Sequence, residues 1–195
     1  EGKPTSLKGY FSELPDPEAK KTNFINSMAA YAVVTHLFLI KDRHNGNILL
    51  DSEGHIIHID FGFILGIAPG NKFSLETSPF KLTAEMMELM GGRTGDLYAR
   101  FCECFVRGFL ALRPYRDKFV DLCNVTSKGT SFPCFARKTD AEVQQVLEGL
   151  RGRFRAELSV EDCVRHCMKL INDSATSSGT ANYDRFQYLT QGTLF

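Results

Sequence analysis

Two carboxylates, an imidazole and an amide lie close together in the first third of the sequence, at Asp42, Asp60, His44 and Asn47. Carboxylate and amide oxygens are hard ligands that suit a magnesium ion bound to a nucleotide. Phosphoryl transfer needs metal-neutralised phosphate oxygens and a positioned nucleophile. An adjacent imidazole can take the proton from an attacking hydroxyl group. These residue types therefore indicate a phosphoryl-transfer site.

A predicted β-hairpin brings these side chains together. Residues 47–51 and 55–59 are short, mostly aliphatic runs, and residues 51–54 form a turn between them. The hairpin folds Asp60 back beside Asn47. A histidine taken alone is more often a structural hydrogen-bond partner than a catalyst. Only the combination of residue types, spacing and hairpin favours catalysis.

The joint pattern resembles a known family. The segments Lys41-Asp-Arg-His-Asn-Gly-Asn47 and His58-Ile-Asp-Phe-Gly62 resemble the catalytic loop and the metal-binding motif of the phosphatidylinositol 3- and 4-kinase superfamily. The sequence around these segments, from about Leu7 to the C-terminus, is similar to that of the type III phosphatidylinositol 4-kinases. Further similar segments are Glu76–Thr83, Met90–Gly92, Leu112–Tyr115, Pro133–Phe135 and Tyr183–Thr190.

The resemblance implies a role for each residue of the two motifs. His44 would be the general base toward the inositol hydroxyl, and Asp42 would order the loop and share in that proton transfer. Arg43 would brace the loop. Asn47 and Asp60 would bind Mg²⁺, or Mn²⁺ in its place, and the phosphate donor would be ATP.

The strands of the hairpin have two possible uses. The resemblance implies that Leu49 and Ile59 form part of the adenine floor, whereas their residue types also suit ordinary strand core positions. His55 and His58 alternate with isoleucines and are expected at the polar positions of their strand.

The loop at about residues 58–83 is the activation loop in this interpretation, and it would face the lipid headgroup. Its substrate-facing residues would include Phe61, Gly62, Lys72 and Lys81. No basic residue other than these two lysines lies between Asp60 and Thr83. Because headgroup phosphates require cations, this loop favours unphosphorylated phosphatidylinositol in a membrane as the substrate. Its apolar residues could touch lipid or pack against the core.

The predicted fold class is α+β, a protein-kinase-like C-lobe that is mostly α-helical and has one small hairpin. The apolar spacing predicts helices at about residues 7–13, 18–40, 83–90, 96–112, 115–125, 139–150, 159–174 and 183–190. Residues 1–195 would form one C-terminal lobe, with the catalytic loop at about residues 40–48. No Gly-x-Gly motif precedes Asp42. We therefore expect the N-lobe of the same protein to lie outside this chain, which by itself would bind ATP poorly.

Composition excludes several other classes of protein. Basic and acidic residues balance at 23 each, which argues against bulk binding to nucleic acid. The apolar run Met28–Ile40 is too short to span a bilayer.

The resemblance implies a cytoplasmic enzyme that is peripheral on a cytosol-facing membrane such as the Golgi, with an adaptor or small GTPase as a regulatory partner. The segment Tyr183–Thr190 could lie on a bilayer or cover the core.

Six cysteines include Cys163 and Cys167, which lie one helical turn apart with His166 between them. A metal site is conceivable there, but buried thiols are the stronger expectation.

Two other functions remain open from the sequence. One is a protein Ser/Thr kinase of the same superfamily, and the other is a catalytically inactive scaffold fragment.

Overall fold

The computed structural model describes residues 6–67 and 78–176. Within these residues the chain is mostly helical and has one two-stranded antiparallel sheet, which confirms the coarse fold class. The helices are α1 (Leu7–Glu13), α2 (Pro17–Phe38), α3 (Ala84–Leu89), α4 (Asp96–Leu112), α5 (Arg116–Thr126), α6 (Asp140–Arg153) and α7 (Val160–Thr176). Short 3₁₀ turns lie at Asn45–Asn47, Gly92–Thr94 and Arg113–Tyr115. The strands are β1 (Ile48–Leu50) and β2 (Ile56–His58). The helix predicted at residues 183–190 lies outside the described residues.

Helix α2 is the centre of the domain. It begins where the Asp16 side chain accepts a hydrogen bond from the Ala19 N–H and where Pro17 occupies the first helical position. Apolar residues surround it, so it is buried on several sides rather than along one stripe. The buried apolar residues are Phe24, Ile25, Met28, Ala29, Ala32, Val33 and Leu37.

Helix α4 supplies the main partner of α2. Phe101, Phe105 and Phe109 recur at every fourth position and therefore share one face of the helix. Each of the three is at most 1% exposed. Burying a phenylalanine side chain stabilises a fold by about 1.5–3 kcal/mol. Helix α4 also packs against α7. Its aromatic face therefore gives α2 a rigid packing surface.

The hairpin lies on α2 rather than standing free. Ile48 pairs with His58 and Leu50 with Ile56. Two side chains of the first half of α2 hold the turn by donating to its carbonyls: Lys20 Nζ to Ser52 O at 2.7 Å and Asn23 Nδ2 to Glu53 O at 2.9 Å. The hairpin is thus fixed relative to the core at its turn and at its strands.

Helix-start signals in the sequence correspond to observed caps. Thr139 and Glu142 form a reciprocal capping box at α6. Ser159 Oγ accepts from the Asp162 N–H at 3.0 Å at the start of α7. The predictions of both helix starts are confirmed.

The thiols of Cys163 and Cys167 are buried, as the stronger of the two expectations held. Among the described residues, no group of three or more histidine, cysteine or acidic side chains is arranged to hold a metal ion. In the same part of the chain, every helix is too short or too polar to cross a membrane.

His36, in the last turn of α2, provides a test of the packing. Its ring lies 6.2 Å from the rings of Phe109 and His166. Burial, followed by the charges of His166, Arg153, Lys41 and Arg155, lowers the pKa of His36 to about 3. The unfolded chain therefore binds a proton near pH 6.5 that the folded chain refuses, and folding stability falls as the pH drops below that value.

We expect His36→Phe, which cannot be protonated, to weaken this pH dependence. Between about pH 7 and about pH 5, the wild type should lose about 2 kcal/mol more unfolding free energy than the variant does. Urea denaturation at both pH values measures the difference. An equal loss in the two proteins would contradict the neutral state of His36 in the folded protein.

Candidate active site

The C-terminal end of α2 holds the loops that form the candidate site. Leu39 ends the helix in the left-handed conformation, with φ 47°. The last carbonyl groups of the helix find partners in other segments: Leu37 O accepts from Arg153 Nε at 2.6 Å and Phe38 O from the Leu65 N–H at 2.8 Å. The Lys41 N–H donates in turn to Phe63 O at 2.8 Å. The loop before the hairpin and the loop after it therefore run side by side.

Arg43 joins these two loops from within. It is 2% exposed. Its Nε donates to Lys41 O at 3.0 Å and its Nη1 to Ile59 O at 2.7 Å, while Nη2 donates to Asp60 O. Its guanidinium also lies over the Phe61 ring, 5.6 Å from the centroid. These contacts join the two loops, and the role of Arg43 in catalysis stays a prediction.

Asn47 presents its amide oxygen toward the site. Its Nδ2 donates to Asp42 O at 2.8 Å, with Asp42 Oδ2 3.4 Å away. These acceptors identify the nitrogen end of the amide. Its backbone oxygen accepts from the Ile59 N–H at 3.0 Å, which puts it one residue from Asp60. Within the described residues, no group donates to Asn47 Oδ1. The role of Asn47 as a metal ligand stays a prediction.

Asp60 and Asp42 both have left-handed backbone conformations, with φ of 55° and 66°. Aspartate tolerates this region better than most residues, yet such conformations are uncommon outside turns and functional sites. Asp60 is exposed, and its Oδ1 accepts from the Gly62 N–H at 3.1 Å. Its carboxylate is thus at the surface, and its backbone follows Ile59, the residue that bonds to Asn47. One carboxylate and one amide oxygen fit Mg²⁺, which binds few protein ligands and completes its shell with water and substrate phosphates.

His44 is held by its own loop. It is 8% exposed, and its Nδ1 accepts from the Gly46 N–H at 3.1 Å. A neutral imidazole that accepts at Nδ1 carries its proton on Nε2. The ring can therefore donate through Nε2 as it stands, and it can take a proton only by giving up the Gly46 bond. The general-base role of His44 remains a prediction.

The outer face of the hairpin is apolar and exposed. Leu49 pairs with Ile57 across the two strands, and Ile59 and Phe61 follow. Leu49 is 47% exposed and Ile59 38%. The expectation that these two residues also serve as core is therefore wrong, because the strands turn Ile56 and His58 toward α2 instead. The contact of Leu49 and Ile59 with adenine stays a prediction.

His55, just before β2, and His58, at its end, do not share a polar face. His55 is exposed and pairs with Asp51 at 3.0 Å. His58 is buried and stacks on Tyr31, with ring centroids 4.2 Å apart. Burial, with the nearby charges of Arg43 and Lys81, lowers the pKa of His58 to about 4, so the ring is neutral. The expected polar position of His58 is wrong, because the alternation places it toward α2.

The loop after Asp60 divides between surface and interior. Phe61 is exposed, while Leu65 belongs to the core. Lys81 is 7% exposed, and its Nζ donates to Asn45 Oδ1 at 2.7 Å. Lys72 lies outside the described residues. The headgroup contacts predicted for Phe61, Gly62, Lys72 and Lys81 remain predictions.

Sequence reasoning missed the contacts that support the site from behind. Asn45 as a partner of Lys81, and Tyr31 as a stacking surface for His58, carry no signal in the sequence. The spacing between Asn45 and Lys81 gives no hint that their side chains meet.

Comparisons with known proteins show which family the sequence resembles. The profile of the family described as Phosphatidylinositol 3- and 4-kinase matches residues 3–131. Phosphatidylinositol 4-kinase beta of Xenopus laevis is 42% identical over 172 residues, which cover 88% of this chain and 20% of that protein. Phosphatidylinositol 4-kinase PIK1 of Saccharomyces cerevisiae is 45% identical over 173 residues, or 87% of this chain and 16% of that protein. A phosphatidylinositol 4-kinase of Dictyostelium discoideum is 41% identical over 194 residues, or 96% of this chain. The chain thus spans about a fifth or less of the length of these relatives.

The hairpin turn allows a stability test. Gly54 has a φ of 88°, and a Cβ built on it would lie 2.5 Å from Lys20 O. Gly129 also has a positive φ, 64°, but a Cβ there meets nothing within 4 Å. We expect Gly54→Ala to lower the unfolding free energy by about 3 kcal/mol, because the turn must move off α2, and the control Gly129→Ala to lower it by about 1 kcal/mol. Urea denaturation would contradict this docking of the turn if both losses were equal.

Proposed function

Because the chain belongs to the phosphatidylinositol 3- and 4-kinase family, we propose that it is the catalytic part of a phosphatidylinositol 4-kinase similar to the beta form. The enzyme would transfer the γ-phosphate of ATP to the 4-hydroxyl group of phosphatidylinositol. The observation that carries this proposal is the convergence of the 41–47 loop and Asp60 through Arg43. The similar proteins are phosphatidylinositol 4-kinases by name, and this supports phosphatidylinositol as the substrate.

In this proposal residues 1–195 form the C-terminal lobe of the catalytic domain. The catalytic loop covers about residues 40–48 and the activation loop about residues 58–83. An N-terminal lobe of the same protein covers the exposed apolar face of the hairpin. Leu49 and Ile59 then contact adenine from below, and this contact removes their exposed apolar area from water.

Asn47 Oδ1 and the Asp60 carboxylate are the proposed ligands of Mg²⁺, or of Mn²⁺ in its place. A metal ion held by these two residues would supply positive charge to the phosphate oxygens of ATP. The chain contributes the geometry: Arg43 fixes the backbone carbonyl of Asp60, and the Asp42 carbonyl orients the amide of Asn47. Both ligands are therefore held before the nucleotide arrives.

Asp42 and His44 are the groups proposed to handle the proton of the inositol hydroxyl. His44 Nε2–H can donate to an oxygen of the transferring phosphate. The proton of the attacking hydroxyl passes to the Asp42 carboxylate, or to His44 once Nδ1 is released by Gly46. His44 thus keeps its proposed role as a general base, and Asp42 shares in the proton transfer.

The low charge of the activation loop supports phosphatidylinositol without further phosphates as the acceptor. Lys81 donates to Asn45 within the protein, and Lys72 is the one other basic residue in the sequence of this loop. We place the enzyme on a cytosol-facing membrane, the Golgi by resemblance, as a peripheral protein. An adaptor or a small GTPase would recruit it there.

The test is phosphate transfer from labelled ATP and magnesium to phosphatidylinositol vesicles, catalysed by the full-length protein. Chromatography of the product locates the new phosphate. We expect phosphatidylinositol 4-phosphate. A 3-phosphate would contradict the assigned position while keeping the chemistry. Transfer to a protein acceptor alone would favour the related protein kinases, and no transfer at all would favour a scaffold.

Asp60→Asn is the variant that tests the metal site. Replacing the carboxylate by an amide removes the negative charge that binds the metal, so we expect turnover to fall by about two orders of magnitude or more. Folding should be unaffected because Asp60 is exposed. Asp121→Asn, an exposed change on α5, is the control and should leave turnover unaltered. Retained turnover in Asp60→Asn would remove this carboxylate from the metal site.

A further inference from the structure

Two lysines join the catalytic loop to the segment that ends the activation loop. Lys81 Nζ donates to Asn45 Oδ1 at 2.7 Å, and Lys41 Nζ donates to Ser78 O at 3.1 Å. Lys81 lies at the end of the activation loop and donates to the catalytic loop. Lys41 lies in the catalytic loop and donates to the end of the activation loop. Together they tie residues 78–81 to residues 41–45 at two points.

Lys81 is buried to an extent that is unusual for a lysine. It is 7% exposed, and lysines are rarely buried unless their charge finds a hydrogen-bond partner. The side-chain oxygen of Asn45 is such a partner. The ammonium group also acts on the site behind the hairpin, because its charge helps to lower the pKa of His58. Its position is therefore an interior one.

Asn45 is the residue through which this contact can reach the reacting groups. It begins the 3₁₀ turn Asn45–Asn47. The next residue, Gly46, donates its N–H to His44 Nδ1, and Asn45 O accepts from the Ile48 N–H. A shift of Asn45 would thus move His44 on one side and Asn47 on the other. Positions of reacting groups matter at this scale, since displacements of about 1 Å can cost about a hundredfold in rate.

We propose that Lys81 is a positioning residue, which holds the 3₁₀ turn of the catalytic loop through Asn45 and so makes turnover depend on the seating of the activation loop. This inference rests on the proposed lipid-kinase function and deepens it. Lys81 acts through Asn45 rather than on the substrate. The activation loop would thereby control kcat from its C-terminal end, independently of how its other residues meet the lipid.

The experiment is a double-mutant cycle in the full-length protein, with Lys81→Met, Asn45→Ala and the two combined. Methionine keeps most of the lysine chain length and loses the charge and the donors. Asn45 is only partly buried, so Asn45→Ala breaks the same contact with little risk to folding. Lys81→Arg keeps a charged donor. Lys128→Met is the control, since Lys128 is exposed and pairs with Asp140 at the surface. Thermal unfolding and nucleotide affinity are measured beside kcat and the KM for lipid.

We expect each single variant to lower kcat by about thirtyfold, with nucleotide affinity and the lipid KM within about threefold of the wild type. The double variant should lose no more than the worse single variant, whereas independent effects would multiply to about a thousandfold. Lys81→Arg should recover part of the loss, and Lys128→Met should match the wild type.

Other results would overturn the inference. Multiplying losses would show that Lys81 and Asn45 act separately. A rise in the lipid KM at unchanged kcat would place Lys81 at the headgroup. Wild-type kcat in folded Asn45→Ala would remove the contact from the mechanism, and this variant decides the matter if Lys81→Met fails to fold. A wild-type protein that makes no lipid product would instead contradict the proposed function itself.

Discussion

The site depends on one buried cation. Arg43 is almost fully enclosed, and its three donor nitrogens bind carbonyls at Lys41, Ile59 and Asp60. A planar guanidinium can serve several acceptors at fixed angles, which a lysine ammonium on a flexible chain does not do. Burying this charge is costly unless its donors are satisfied. The two loops therefore cannot separate without leaving donors of the cation unpaired, and Asp60 keeps its place beside Asn47.

The strain of the site is concentrated around this cation. Leu39, Asp42 and Asp60 all have left-handed backbones, and each such residue costs on the order of 1–2 kcal/mol. Glycine would relieve the strain at any of them but would loosen the loop. The aromatic face of α4 beneath α2 and the bonds from Arg153 and Leu65 to the last carbonyls of α2 offset that cost. A rigid helix end is thus a condition for an unusual loop conformation.

Local signals predicted much of this architecture, whereas contacts between distant residues were not accessible from the sequence. Helix caps such as Thr139 depend on neighbours three residues away, and periodicity indicated α4 at its observed bounds. The hairpin and the proximity of Asn47 to Asp60 followed from strand and turn propensities. Which face of the hairpin is buried was harder to predict. The packing of the hairpin on α2 decides that His58 lies inside and Leu49 outside. The bond from Lys81 to Asn45 spans 36 residues, and only tertiary packing creates it.

The two faces of the hairpin differ in their contacts with the rest of the fold, and the proposed site lies at the open face. The inner face, with Ile56 and His58, is sealed against α2 by packing and by the stack on Tyr31. The outer face exposes Leu49, Ile57 and Ile59, although two strands alone are marginally stable in water. Docking on α2 supplies the missing stability, so the outer face need not be buried by the fold itself. An apolar surface that the fold can leave open suits the adenine contact proposed for Leu49 and Ile59, and it lies next to Asp60 in the chain.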